Sequence, residues 1–237
     1  MTEPVAMIKA ALQADAETVR MISQNVANAS TTGYRRVVPA AFALPPVEEA
    51  VMSVGLPPRI VGVTDFAAGP LESTSGALDL AIEGPGFFVV STAVGEALTR
   101  RGDFRVGADG MLVTQSGDHV LGERGAIPAS GQRVEIGANG IVTVDGAATE
   151  RLRVVEVPAG TALTASDGGY YVAPAGTSLI EGGASTVRQG FIEGSNVAPV
   201  NEMIRLMETM RHFEATQRFA RGYDDMLSLA ISELGRS

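Results

Sequence analysis

The sequence predicts an α+β chain: a mainly β central domain, sandwich- or barrel-like and rich in hairpins, flanked by long N- and C-terminal helices that pair as a coiled coil. Three observations predict it. Apolar residues recur at alternating steps of three and four near both ends of the chain. Between those stretches the pattern changes to short runs separated by Asp-Gly and Asn-Gly pairs. Finally, 28 glycines and 12 prolines among 237 residues supply the turns that a hairpin-rich body needs.

The first helix is expected over about residues 4–29. Ile8, Leu12, Val19, Ile22, Val26 and Ala29 keep heptad spacing, with Asp15 in the slot between Leu12 and Val19. Pro4 suits a first turn, where its missing N–H is no loss. The stretch NVANASTTGYRR, from Asn25 to Arg36, then ends the helix. Asn25, Asn28, Ser30 and Thr31 have side chains that compete for backbone groups, and Gly33 permits a left-handed exit. Tyr34 and Arg35 are expected to dock this exit turn on a neighbouring helix. Residues 43–58, with Pro45, Pro46, Pro57 and Pro58, read as a linker.

The middle of the chain keeps no helical period. DFRVGADGMLV reads as two strands around Asp109-Gly110, and RVEIGANGIVTV repeats the pattern around Asn139-Gly140. RLRVVEVP alternates, and GGYYVAP follows the Asp167-Gly168 turn. EGPGFF is a tight turn feeding Phe87, Phe88, Val89 and Val90 into a buried strand. The second helix follows EGSNVAPV, with Ser195 or Asn196 as its cap and Pro199 in its first turn. Its seam runs Met203, Leu206, Met210, Phe213, Gln217, Ala220, Asp224, Leu227, Ile231, Leu234 in strict 3–4 alternation. The domain organisation is therefore 1–33 with 196–237 as the helical domain, 34–75 as linker, 76–190 as the β-rich domain and 191–195 as the return connection.

Composition narrows the function. A net charge of −9 argues against nucleic acid, since phosphate binding needs a positive footprint. Absence of cysteine excludes disulfides, thiolate metal sites and a cysteine nucleophile. No segment reaches the ~20 apolar residues of a membrane span, and the N-terminus lacks the basic start and apolar core of a cleavable signal.

Candidates for chemistry give way one by one. His119 and His212 stand in separate contexts without metal-ligand spacing or a carboxylate–histidine cluster. Asp109, Asn139 and Asp145 lack the calcium-loop ladder and are turn residues. Ser30, Ser73, Ser75 and Ser195 have no nucleophile-elbow setting. The pairs Arg35-Arg36 and Arg100-Arg101 read as interface or surface charges. No catalytic residue, cofactor site or metal site is expected, and the chain is read as no enzyme.

What remains is a family resemblance. NVANASTTGYRR resembles the N-terminal signature of bacterial flagellar rod and hook axial proteins. LDLAIEGPGFFVV, from Leu78 to Val90, is similar to that family's glycine–aromatic block, and LTRRGDFRVGADGMLVTQSGDHVLGERG resembles the stretch that follows it. GFIEGSNVAPVNEMIRLMETMRHFEATQR matches its C-terminal block. The blocks cover nearly the whole chain in order, and the length and short Pro-rich linker look most like the proximal-rod branch. Gln24, Tyr34 and Arg35 depart from commoner residues.

The resemblance implies a structural subunit of the basal-body rod, in which the terminal helices form an inner axial coiled coil with the β domain outside. Implied partners are other rod subunits, hook-side axial proteins, further copies of the chain and the flagellar type III export apparatus. Export would proceed without a cleaved signal. Assembly residues are expected at Leu12, Val19, Ile22, Val26, Asn28, Thr32, Gly33, Tyr34, Met203, Leu206, Met210, Phe213, Leu227 and Ile231. A lone helix of this length is marginal in water, so the ends are expected to order only on polymerisation. The rivals are a distal-rod or hook subunit and, from another class, a secreted β-domain binding module or peptidoglycan-acting enzyme. For the last, no paired catalytic carboxylates are identifiable.

Overall fold

A computed structural model describes residues 3–42 and 59–234, so the expected linker over 43–58 lies outside the described residues. A mostly β central region stands between two long helices, α1 (Glu3–Ala27) and α2 (Pro199–Leu234). The chain divides into two compact units, one of residues 1–27, 37–65 and 198–237, the other of residues 28–36 and 66–197.

In the helical unit α1 packs on α2 and on a two-stranded antiparallel ribbon, β1 (Val37–Phe42) with β2 (Arg59–Thr64). Gly62 marks the closest approach: a Cβ there would meet Val37 Cγ1 at 2.6 Å and Met21 Sδ at 3.4 Å. Met21 and Ile22 of α1 are fully buried. The first backbone bond of α2 runs from Glu202 N–H to Ala198 C=O, so Ala198 is the cap position and Pro199 opens the first turn. Ser195 and Asn196, expected as caps, lie before the helix. Ser195 Oγ instead accepts from Val197 N–H, and the Asn196 side chain accepts from Arg36 N–H and donates to Ala67 C=O.

The β unit begins with β3 (Leu71–Ser73), β4 (Leu80–Glu83), β5 (Gly86–Thr92) and β6 (Gly95–Thr99). Short strands follow: β7 (Arg105–Val106), β8 (Leu112–Val113), β9 (His119–Val120), β10 (Val134–Ile136), β11 (Ile141–Val144) and β12 (Ala147–Arg151). It closes with β13 (Val154–Glu156), β14 (Thr164–Ser166), β15 (Tyr170–Val172), β16 (Ile180–Glu181), β17 (Thr186–Gln189) and β18 (Phe191–Glu193). The largest sheet runs β14-β15-β6-β5-β9-β8-β7, with β13 joined to β5 and β16. Beside it lie the meander β10-β11-β12 and the pairs β17-β4 and β18-β3.

β5 is the hub, because both of its faces are covered. Alternate side chains point to opposite faces. Phe88 and Val90 therefore enter the larger core with Leu80, Leu112, Ile127 and Val142, while Phe87 and Val89 enter a second core with Leu98, Val155 and Tyr171. That double burial is why the sequence reads Phe-Phe-Val-Val without a polar interruption. The predicted turns are present: Gly110, Gly140 and Gly168 all take positive φ, and β7–β8 and β10–β11 are antiparallel pairs. Asp145 is itself left-handed at φ 50°, held because its carboxylate accepts from Gln132 and Arg133 N–H.

Candidate functional site

Two polar contacts fix how α1 and α2 lie together. Asn25 Nδ2 meets Glu202 Oε2 at 3.1 Å, and His212 Nδ1 meets Asp15 Oδ2 at 2.7 Å. The two residue numbers of each pair total 227, so the helices are antiparallel and residue i of α1 faces residue 227 − i of α2. Glu3, the first residue of α1, therefore faces position 224, and α2 continues ~15 Å beyond it at ~1.5 Å per residue. Asn25 does more than meet Glu202: its side chain accepts from Val37 N–H at 2.9 Å and donates to Val37 C=O at 2.8 Å. One buried amide thus joins α1, α2 and β1. Asn25 lies in the last turn of α1, and its side chain pins the ribbon rather than capping the helix.

The covered stripe of α2 coincides with the predicted seam only in part. After buried Glu202, the partly covered positions are Leu206, Thr209, Phe213, Thr216, Gln217, Ala220, Tyr223 and Leu227. Leu206, Phe213, Gln217, Ala220 and Leu227 are common to both readings. At the other positions the covered residue precedes the expected one, with Glu202 in place of Met203 and Thr209 in place of Met210. The reason lies on the facing helix. Where α2 turns a carboxylate inward, buried Asn25 receives it.

The methionines are thereby left outside. Val200, Met203, Ile204, Met207 and Met210 form an exposed apolar stripe on the N-terminal half of α2, while Phe219, Met226, Leu229 and Ile231 are exposed further along. Among the expected assembly residues, Met203, Met210 and Ile231 are exposed, Leu12, Val19, Val26, Leu206, Phe213 and Leu227 are half-buried, and Ile22 is buried within its own unit.

Asn28, Thr32, Gly33 and Tyr34 belong to the other unit. There the turn is closed by Thr31 N–H to Asn28 C=O and Tyr34 N–H to Thr31 C=O. Gly33 sits at φ 65°, its N–H donates to Glu193 C=O, and a Cβ would meet Arg101 N at 2.6 Å. Arg35 is fully buried, so it is not the surface or docking charge expected of it. Its Nη2 lies 2.6 Å from Glu193 Oε1, which also accepts from Gly69 N–H. Glu193 Oε2 faces Arg100 Nη1 at 3.4 Å, and Arg100 donates further to Ile82 and Gly84 C=O. Arg100 stacks 4.9 Å over the Phe87 ring. Burial pushes the Arg100 guanidinium down to about 10; Glu193 opposes the fall and Arg35 adds to it.

The comparisons with known proteins bear on this arrangement directly. Residues 188–233, which span α2 and the strand before it, match the family described as flagellar basal body rod FlgEFG protein C-terminal. Residues 81–144, in the β unit, match the flagellar hook protein FlgE/F/G D1 domain. The chain is 32% identical to the flagellar basal-body rod protein FlgF of Caulobacter vibrioides over 91% of each chain. It is 31% identical to FlgF of Escherichia coli over 91% of each, and 27% identical to the rod protein FlgG of Bacillus subtilis over 90% of this chain and 91% of that one. The chain belongs to the flagellar basal-body rod protein family.

For a rod protein, the notable polar groups are architectural. Each histidine takes one carboxylate, His119 from Asp109 at 2.6 Å and His212 from Asp15, although neither pairing was expected. The bond from His119 holds the Asp109 carboxyl below its ordinary range. No group of three or more metal-ligating side chains of His, Cys, Asp or Glu occurs among the described residues. Nor is any helix there long and apolar enough to cross a membrane. The sequence reading missed Glu202 and Glu193 and gave Asn25, Arg35 and Arg100 other roles. Their one visible signal was a polar side chain inside a matched block or beside a heptad slot.

Proposed function

We propose that the chain is a rod subunit that polymerises through its helical unit, with α1 and α2 pairing as an axial coiled coil and the β unit a barrel-like body. Met203, Met210 and Ile231 face neighbouring axial subunits, further copies among them, while Leu12, Val19, Ile22, Val26, Leu206, Phe213 and Leu227 hold the pair together. Asn28, Thr32, Gly33 and Tyr34 shape the exit turn that aims the helices. The chain reaches the periplasmic section of the flagellum through the type III export apparatus without a cleaved signal, and its place is in the proximal rod. The observation that carries this reading is the exposure of nine large apolar side chains on α2 in a chain whose β unit leaves only scattered ones exposed.

Fully burying each such side chain is worth ~1.5–3 kcal/mol, so a few of them offset the ~4–15 kcal/mol that association costs. Because two different faces of α2 are exposed, contacts between subunits are head-to-tail and propagate as a helical filament. The test is a chain carrying Met203→Asp and Met207→Asp, expressed in a non-motile strain that lacks this subunit. The expected result is an exported, folded chain, no basal-body incorporation and no recovery of swimming. Normal rods built from that variant would refute the reading.

A further inference from the structure

Resting on that assembly reading, we propose that Met203, Met207 and Met210 make the assembly face an oxidation-sensitive site, at which peroxide blocks entry of the free chain into the rod. The three sulfurs stand at i, i+4 and i+7 of α2, spacing that sets them along one side of a helix. They are 53%, 55% and 50% exposed, and their neighbours on that side, Val200 and Ile204, are exposed and apolar as well. Met21 of α1, by contrast, is 0% exposed, while Met7 and Met226 are exposed singly and away from this stripe. With no cysteine anywhere in the chain, thioethers are its softest nucleophiles.

The chemistry needs one co-reactant, a peroxide. A lone pair on Sδ attacks one peroxide oxygen and the O–O bond breaks. The S–O bond of a sulfoxide forms, sulfur is oxidised by two electrons, and the peroxide is reduced to water. A sulfoxide is polar and accepts hydrogen bonds strongly. Against an apolar partner its oxygen is left without a donor, which opposes burial of the whole stripe. Leucine would fill the same space and cannot be oxidised in this way, so the thioethers distinguish an oxidisable face from a merely apolar one. The window is the free chain; once a neighbour covers the stripe, the sulfurs are shielded.

The test begins with limited hydrogen peroxide on the purified full chain, followed by peptide mass mapping. Expected is a gain of about 16 Da at each of Met203, Met207 and Met210 well before Met21. Oxidised and untreated chains are then compared for incorporation into rods lacking this subunit. A loss of roughly tenfold or more is expected for the wild type. Whatever the untreated level of incorporation of the M203L/M207L/M210L chain, peroxide should not lower it further. Full incorporation of the oxidised wild type, or an equal loss in the triple-leucine chain, would overturn the proposal. Neither outcome touches the assembly reading, which stands or falls with the aspartate variant.

Discussion

The two units handle apolar surface in opposite ways. The β unit closes two cores around β5 and leaves only scattered apolar side chains outside, such as Val94 and Ile180. In the helical unit, Met21 and Ile22 are the only large apolar side chains fully buried among the described residues, while nine on α2 are exposed. The first unit covers most of its own apolar surface. On the assembly reading proposed above, the second is completed by a partner, since a helix apolar on faces that its own chain leaves bare gains stability only when something else covers them. Both units bury charge: Glu202 beside Asn25 in the helical unit, and Arg35, Arg100 and Glu193 in the β unit. There Arg100 is held further by the Ile82 and Gly84 carbonyls and the Phe87 ring.

The sharpest way to break this comparison is to strike the β unit at its buried charge cluster. Glu193→Gln leaves two buried guanidinium groups without their shared carboxylate, and should lower stability by about 3–5 kcal/mol in urea unfolding. If it costs less than about 1 kcal/mol, the cluster is not what holds this unit together.

A smaller effect is expected from Asn25→Ala, which removes the amide that ties α1 to β1 and α2. Stranding those buried partners should cost about 2–3 kcal/mol and speed amide exchange in the Val37–Phe42 strand, with the β unit unaffected. Matching losses of protection in both units would mean that they do not behave independently.

The smallest effect is one of pH. Burial raises the Tyr171 phenol from 10.0 to about 12. The folded chain therefore keeps a proton that the unfolded chain loses, so this contribution is fully present below pH 10 and is lost as pH rises towards 12. The decline should be on the order of 2 kcal/mol, and Tyr171→Phe should flatten it. An unchanged slope in that variant would remove Tyr171 as its source.

Local pattern made much of this legible in advance. Heptad spacing located both helices, Pro199 marked the start of α2, and Asp109-Gly110 and Asn139-Gly140 marked hairpins, because each depends on neighbours a few residues away. The side of α2 that meets α1 was not legible. Met203 and Glu202 are adjacent, both positions satisfy a 3–4 alternation, and apolarity alone favours the methionine. Only the facing Asn25, 177 residues distant, turns the carboxylate inward. In the same way Arg35 reads as a surface charge until Glu193, 158 residues on, is folded against it.

By itself, then, the sequence determined where the chain is helical, where it turns and that both ends carry more apolar surface than a lone helix can bury. Tertiary structure alone decided which apolar side chains stay outside and which polar ones go in. A buried polar group is tolerated only beside its partner, and here the partners come from opposite ends of the chain.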